Sequence, residues 1–296
     1  MKKISVFLGL ISVLIGLSAC GNTLSKGKVN IVTSFNAVKE IAEAVGGEYV
    51  MVSTIIPNGS EPHEYEPKTS DMICLDSATM FAYSGLGMES WVEKTLAATK
   101  NKKLVAIDLS KGIIPIKNTD PDEIKEHGQY DPHIWLSLKS AALQAETMRD
   151  ALVNADPAHK DAYNKNCAIF EAKLSDLQNE YSAKFKSLKN KRFVTGHAAF
   201  AYLSRDFGLE QNSVEDVFAE GEPSAKKLAG LVEFCKKNKI KTIFVEDMVS
   251  PKVSETLASE VGAKAQKIYT LESKEDNKDY IQSMRDDLEM VYQSLK

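Results

Sequence analysis

One long helical face lies near the middle of this 296-residue chain. Apolar residues recur there at intervals of three or four, which is the spacing along one side of an α-helix. They are Tyr163, Cys167, Phe170, Leu174, Leu177, Tyr181, Phe185 and Leu188. A helix of about 30 residues extends roughly 45 Å, which is long enough to run beside two packed domains. A coiled coil has the same spacing, but strand patterns flank this segment, so we predict a bridge between two lobes.

Strand and helix patterns alternate on both sides of this helix. Strands are predicted at 29–34, 49–56, 80–83, 103–108, 192–195, 242–245 and 266–269. Such alternation favours parallel sheets covered by helices. The predicted fold class is therefore α/β, with two lobes, each a mainly parallel sheet flanked by helices, joined by one long rigid helix. We place the N-terminal lobe at 29–155, the linking helix at 156–190 and the C-terminal lobe at 191–296.

The N-terminus has the pattern of a processing signal. Lys2 and Lys3 precede an apolar run from Ile4 to Ala19, and small residues lead into Cys20. Sixteen residues in a helix reach about 24 Å, which is less than the roughly 30 Å hydrocarbon core of a bilayer. We therefore predict a secretory signal peptide at 1–19, followed by a flexible polar tether at 20–28.

The overall composition argues against a nucleic-acid partner. The chain has 37 Lys and Arg against 41 Asp and Glu, and its pI is about 5.8. A protein with this balance has no basic surface of the kind that binds phosphate backbones. Its 43% hydrophobic and 26% charged residues are typical of a folded globular chain, which excludes a disordered or polytopic membrane protein.

Three of the five histidines lie at junctions between elements, each beside proline or glycine. His63 follows the turn that ends the second strand, His133 precedes a helix, and His197 lies at a strand-to-helix turn. Because open α/β sheets collect ligand sites at the carboxyl ends of their strands, these side chains could converge between the lobes. The other two, His127 and His159, are expected on the surface. No CxxC spacing occurs, so a thiolate zinc site is not expected.

Six short motifs occur in one order along the chain. They are Leu17-Ser-Ala-Cys20, Glu61-Pro-His-Glu-Tyr-Glu-Pro67, Asp131-Pro-His-Ile-Trp135, Gly196-His-Ala-Ala-Phe200, Glu222-Pro-Ser224 and Phe244-Val-Glu246. Together they resemble the metal-binding lipoproteins of bacterial ABC importers for zinc and manganese. The resemblance covers essentially the whole mature chain. It implies two α/β lobes bridged by one long helix, which agrees with the interpretation of the periodicity.

The resemblance also implies a set of metal ligands. Three ligands of the family match His63, His133 and His197, and its carboxylate follows the last strand, where Glu272 lies. Glu246 and Asp247 are the alternatives for this fourth ligand. Only eight positions separate Glu272 from Tyr280, which is a shorter connection than many relatives have. The shorter connection could move the carboxylate away, in which case water could take its place.

The implied cargo is zinc, with manganese as the alternative. Three imidazole nitrogens and one carboxylate oxygen suit tetrahedral zinc, whereas manganese prefers more oxygen ligands. Manganese members of the family carry glutamate at the position of His197. The long histidine-rich loop of many zinc members is missing here, because 118–129 contains only His127.

The implied function is that of an extracytoplasmic zinc-binding lipoprotein, attached through Cys20 to the bacterial cell membrane. It would deliver the ion, as a monomer, to an ABC permease and its ATPase. A zinc-dependent hydrolase and a zinc-stabilised adhesin are the alternatives from other classes. The sequence contains neither His-Glu-x-x-His nor Gly-x-Ser-x-Gly, and no residue marks a general base, so an enzyme is not expected.

Overall fold

The computed structural model describes residues 27–118, 124–125, 128–219, 223–246 and 250–296. The predicted signal peptide and most of the predicted tether, with Cys20, lie outside the described residues, and so do His127 and Asp247. The predicted fold class is confirmed. Two parallel four-stranded sheets, each flanked by helices, lie on either side of a long helix. None of the helices in the described ranges combines the length and the apolar character needed to span a bilayer.

The N-terminal lobe is built on four parallel strands in the order β2-β1-β3-β4. The strands are β1 (Val29–Thr33), β2 (Val50–Thr54), β3 (Met80–Tyr83) and β4 (Val105–Asp108). The helices are α1 (Asn36–Gly46), α2 (Thr69–Ser77), α3 (Val92–Ala98) and α4 (Leu138–Ala155). In the register, Val29 pairs with Val50 and Ile31 with Met80. All four strands therefore end at the same edge of the sheet.

The C-terminal lobe repeats this strand order as β6-β5-β7-β8, again all parallel. Its strands are β5 (Arg192–Thr195), β6 (Glu210–Ser213), β7 (Thr242–Val245) and β8 (Lys264–Lys267). The linking helix is α5 (Lys160–Lys186), and the remaining helices are α6 (Ala201–Phe207), α7 (Ala225–Asn238), α8 (Pro251–Val261) and α9 (Tyr280–Ser294). The carboxyl ends of both sheets meet between the lobes.

The linking helix packs on both lobes. Seven of the eight residues on its predicted face are buried, from Tyr163 to Phe185. The 27 residues of α5 extend about 40 Å. The helix contacts α1 and α4 on one side and α6 and α9 on the other. At its C-terminal end the Lys184 ammonium lies 2.9 Å from carboxylates of both Glu180 and Glu289, which ties α5 to α9.

One apolar core extends through both lobes. It includes Phe35 and Trp135, whose rings meet edge to face with centroids 4.7 Å apart, and continues to Phe200 and Met284 of the C-terminal lobe. A second, smaller cluster lies between β5, β7 and helices α7 and α8. Opening the lobes widely would expose the shared core to water, so the fold favours a stiff pair of lobes.

Three features of the fold differ from the sequence expectation. Helix α2 and strand β6 are not predicted from the sequence. Strand β6 escapes prediction because its polar sequence, Glu210-Gln-Asn-Ser213, has no apolar alternation. Strand β8 lies two residues before its predicted position. Ile268 and Tyr269, the apolar residues that suggested the later position, are buried in the shared core beyond the end of the strand.

Candidate metal centre

The candidate ligands are placed by the ends of strands and by one helix start. His63 lies in the loop after β2, His197 follows β5, and Glu272 lies five residues beyond β8. His133 lies just before α4. Since the strands of each parallel sheet end at one edge and the two edges face each other, the four side chains project into the crevice between the lobes.

The structure brings these four predicted residues together. His133 Nε2 lies 3.2 Å from His63 Nε2, 3.4 Å from His197 Nε2 and 3.8 Å from Glu272 Oε1. His63 Nε2 is 3.7 Å from the same carboxylate oxygen. One atom from each residue lies within 4.8 Å of all the others. Ligand atoms around tetrahedral zinc, with bonds of about 2.0–2.1 Å, are separated by about 3.3 Å, so a small inward movement would complete such a site.

The four side chains are almost completely withdrawn from water. His133 and Glu272 are 0% and 4% exposed, and the His63 side chain is 2% exposed. Among the described residues, Glu272 Oε1 has no hydrogen-bond donor although it is buried. A buried carboxylate oxygen that faces imidazole nitrogens and lacks a donor is a position that a cation would satisfy.

Asp131 orients His133. Its Oδ1 lies 3.0 Å from His133 Nδ1 and also accepts a hydrogen bond of 2.9 Å from the His133 backbone N–H. A proton on Nδ1 leaves the Nε2 lone pair available to a metal. The sequence reasoning did not assign this role to Asp131, although a carboxylate two residues before a candidate histidine is the signal that could have suggested it.

His197 is held by a different carboxylate, that of Glu246. Glu246 Oε1 accepts a hydrogen bond of 3.3 Å from the His197 backbone N–H and lies 3.6 Å from Nδ1 of its ring. Glu246 therefore lies on the opposite side of the imidazole from the ligand cluster. As an alternative fourth ligand it is not supported, and Asp247 is outside the described residues. Burial raises the pKa of Glu246 to about 8.

A polar network that the sequence did not reveal supports the turn of His197. Gln211 Nε2 donates to the His197 carbonyl at 3.0 Å and to Thr195 Oγ1 at 2.6 Å, and Gln211 Oε1 accepts from Phe200 N–H at 2.9 Å. Thr195 Oγ1 donates to the same His197 carbonyl. Gln211 belongs to β6, the strand without an apolar pattern, so this support could not be found from periodicity.

Glu272 stays in the cluster despite the short connection to α9. Thr270 Oγ1 donates to Glu272 Oε2 at 2.8 Å, which leaves Oε1 turned towards the histidines. Burial and, second, the charge of Glu61 raise the pKa of Glu272 well above its ordinary value. Burial and, second, nearby His133 lower the pKa of His197 well below its ordinary value. A neutral His197 imidazole is the form that binds metal.

The other two histidines do not join the cluster. His159 begins the linking helix, where its ring stacks on Tyr49 with centroids 4.1 Å apart and its Nδ1 lies 2.6 Å from Asp156. It is half-buried at the surface. His127 lies outside the described residues.

The fold and the site together define a class of protein. Two α/β lobes that share a bridging helix, with three histidines and one glutamate buried between them, form a two-lobed metal-binding protein. The sequence profile described as "ZnuA: Zinc-uptake complex component A periplasmic" matches residues 31–294. The chain belongs to this family.

Known relatives agree with this assignment. A protein of Treponema pallidum (strain Nichols), whose name refers to metal binding, is 39% identical over 99% of this chain and 97% of its own length. Zinc-binding lipoprotein AdcA of Streptococcus pneumoniae is 37% identical over 99% of this chain, which spans only 61% of AdcA. The solved Zn(II)-bound ZnuA-like domain of that AdcA is 36% identical, with a TM-score of 0.77 over 91% of this chain and 99% of the domain.

We predict that Gly196→Ala weakens zinc binding. An ideal Cβ on Gly196 would lie 2.0 Å from Glu246 Oε2, so either this carboxylate or the turn of His197 must move. The affinity should fall about 10- to 100-fold, as for other changes to groups that orient ligands. Competition with a chromogenic zinc chelator measures it. Gly230→Ala is the control, because a Cβ there meets no atom within 4 Å. Equal affinity in both variants would show that the close approach does not position His197.

Proposed function

We propose that this protein binds extracytoplasmic zinc through His63, His133, His197 and Glu272 and delivers it to an ABC permease and its ATPase. One observation carries the proposal: four ligand atoms from four separate segments lie within 4.8 Å of one another. The family is described as a component of a zinc-uptake complex, and a relative is named a zinc-binding lipoprotein. A single chain supplies all four ligands, which supports a monomer.

The donor set favours zinc over manganese as the cargo. Three imidazole nitrogens with one carboxylate oxygen suit a four-coordinate ion of intermediate softness. Manganese prefers oxygen ligands and a higher coordination number, whereas this cluster has one carboxylate, and its His133, His197 and Glu272 are buried. The fit to zinc therefore comes from both the chemistry and the enclosure of the site.

The same enclosure supports a carrier rather than an enzyme. A catalytic zinc typically has three protein ligands and an open fourth position for water or substrate. In the proposed site Glu272 would fill the fourth position, and its side chain is 1% exposed. A fully ligated, buried ion is suited to capture and later release.

We predict that His133→Ala abolishes high-affinity zinc binding without unfolding the protein. His133 Nε2 lies within 3.8 Å of an atom of each of the other three ligands, so its loss removes the ligand that contacts all of them. The affinity should fall by several orders of magnitude in chelator competition. Circular dichroism should retain the parent signal.

The matched control is His159→Ala, which removes a histidine that lies outside the cluster. In a host strain that lacks this protein, the parent chain and His159→Ala should restore zinc uptake, and His133→Ala should not. Uptake restored by His133→Ala would overturn the proposed delivery through this site.

We predict that zinc binding releases protons and weakens as the pH falls. Zinc requires neutral imidazoles and an ionised carboxylate, and the pKa of free histidine is about 6.5. Because the pKa of Glu272 is raised, its carboxyl group carries a proton at a higher pH than usual, and zinc must displace that proton. The affinity should therefore rise as the pH increases through neutrality. Calorimetry in buffers with different ionisation enthalpies measures the number of protons released when zinc binds.

The control for this measurement is Glu272→Gln, which has no carboxyl proton to release. Its proton count should be lower than that of the parent at the same pH. Zinc affinity that does not change across the range where imidazole titrates would contradict the prediction.

We also propose a lipid anchor at Cys20, with 1–19 removed as a signal peptide and 20–28 acting as a tether. The support is the sequence Leu17-Ser-Ala-Cys20 and the lipoprotein name of AdcA. In the native host the parent chain should sediment with membranes, whereas Cys20→Ala should appear in the soluble extracytoplasmic fraction or keep its signal peptide. Zinc affinity should not change in purified Cys20→Ala. An unaltered membrane fraction with a processed N-terminus would exclude the anchor.

A further inference from the structure

The backbone around Glu272 is held by the opposite lobe. Thr270 O accepts a hydrogen bond of 2.7 Å from the indole N–H of Trp135. The next three carbonyls, of residues 271, 272 and 273, all accept hydrogen bonds from Asn36. Four consecutive carbonyls of the C-terminal lobe are thus bonded by only two residues of the N-terminal lobe.

Asn36 makes three of these contacts. Its Nδ2 donates to Leu271 O at 3.4 Å and to Ser273 O at 3.3 Å, and its backbone N–H donates to Glu272 O at 3.3 Å. The residue begins helix α1, three positions after the end of β1, and is 7% exposed. Its amide therefore bonds to the carbonyl on each side of the ligand, and its backbone bonds to the carbonyl of the ligand itself.

The bonded segment has a backbone conformation that needs such support. Leu271 has a φ of 58°, in the left-handed region that non-glycine residues rarely adopt. This turn directs Glu272 towards His63 and His133. A residue in this region persists only where its surroundings hold it, and Asn36 donates to the carbonyls of both Leu271 and the residue after it.

The loop that carries His63 is bonded to the same segment. The Gly59 N–H donates to Ser273 Oγ at 2.9 Å, and the Lys274 N–H donates to Asn58 Oδ1 at 3.0 Å. The segments that carry the first and the fourth ligand are therefore connected next to Asn36. A change at Asn36 would affect the separation between His63 Nε2 and Glu272 Oε1, which is 3.7 Å.

We infer that Asn36 is a positioning residue for zinc: it fixes the Glu272 carboxylate from the opposite lobe and so sets how fast the ion is released. The inference rests on the proposed function, in which Glu272 is a ligand. Without the Asn36 amide, the segment can relax from the left-handed turn, and Glu272 loses its alignment with the histidines. Ligands held in place before binding lose less conformational entropy when the ion arrives.

A double-mutant cycle with Glu272 tests this role. In chelator competition and stopped-flow release, Asn36→Ala should bind zinc about tenfold more weakly and release it correspondingly faster. In the Glu272→Ala background the same substitution should change the affinity less than about twofold, because no carboxylate remains to be positioned. Asn36→Leu keeps a side chain of similar size but has no donor and adds no charge, and it should repeat the effect if Asn36→Ala folds poorly.

Asn166→Ala is the matched control. It removes another asparagine amide, which donates to Val45 O at 3.1 Å at the far end of α1. Melting of the metal-free proteins measures the structural cost of each change, and only Asn36 variants should alter zinc release. The absorption of bound Co²⁺ should also change in Asn36→Ala, since it reports the ligand geometry.

These measurements distinguish the role of Asn36 from the existence of the proposed metal site. Unchanged release in both Asn36 variants, or an equal loss of affinity with and without Glu272, would overturn the role of Asn36. If Glu272→Ala and His133→Ala both bind zinc like the parent, the proposed site itself fails.

Discussion

The metal centre depends on the contact between the backbone that follows β8 and the N-terminal lobe. Glu272 belongs to the C-terminal lobe in sequence, but Asn36 and Trp135 bind the carbonyls around it. Through this contact the carboxylate lies beside His63 and His133, while His197 approaches from β5. The crevice between the sheets is therefore a hydrogen-bonded interface in which ligand atoms from both lobes lie within 4.8 Å of one another.

The three carboxylates around the histidines have two different roles. Asp131 contacts Nδ1 of His133 and Glu246 approaches Nδ1 of His197, and both leave Nε2 directed towards the centre. Glu272 alone of these three acids faces the Nε2 atoms. The place of each acid in the fold explains its role. Glu246 directly follows the central strand β7, whereas Glu272 lies beyond β8, where the N-terminal lobe bonds the backbone. Binding and orientation are thus assigned to different side chains.

Much of this could be predicted from the sequence, since the linking helix and most strands have strong apolar periodicity. The histidines were recognisable because each lies beside proline or glycine at the end of an element. Strand β6 was missed because its residues are polar, and with it the support from Gln211. The choice between Glu246 and Glu272 depends on which lobe bonds the backbone after β8, and no local pattern encodes that contact. Cys20 and His127 remain predictions.

The apolar core that extends through both lobes has a consequence for unfolding. Neither lobe can lose its structure alone, because the buried face of α5 would then be exposed along half of its length. Heat should therefore melt the two sheets in a single cooperative transition, although they are separate in topology. Strain introduced in one lobe would reduce the stability of the entire molecule, so the sequences of the two halves cannot drift independently.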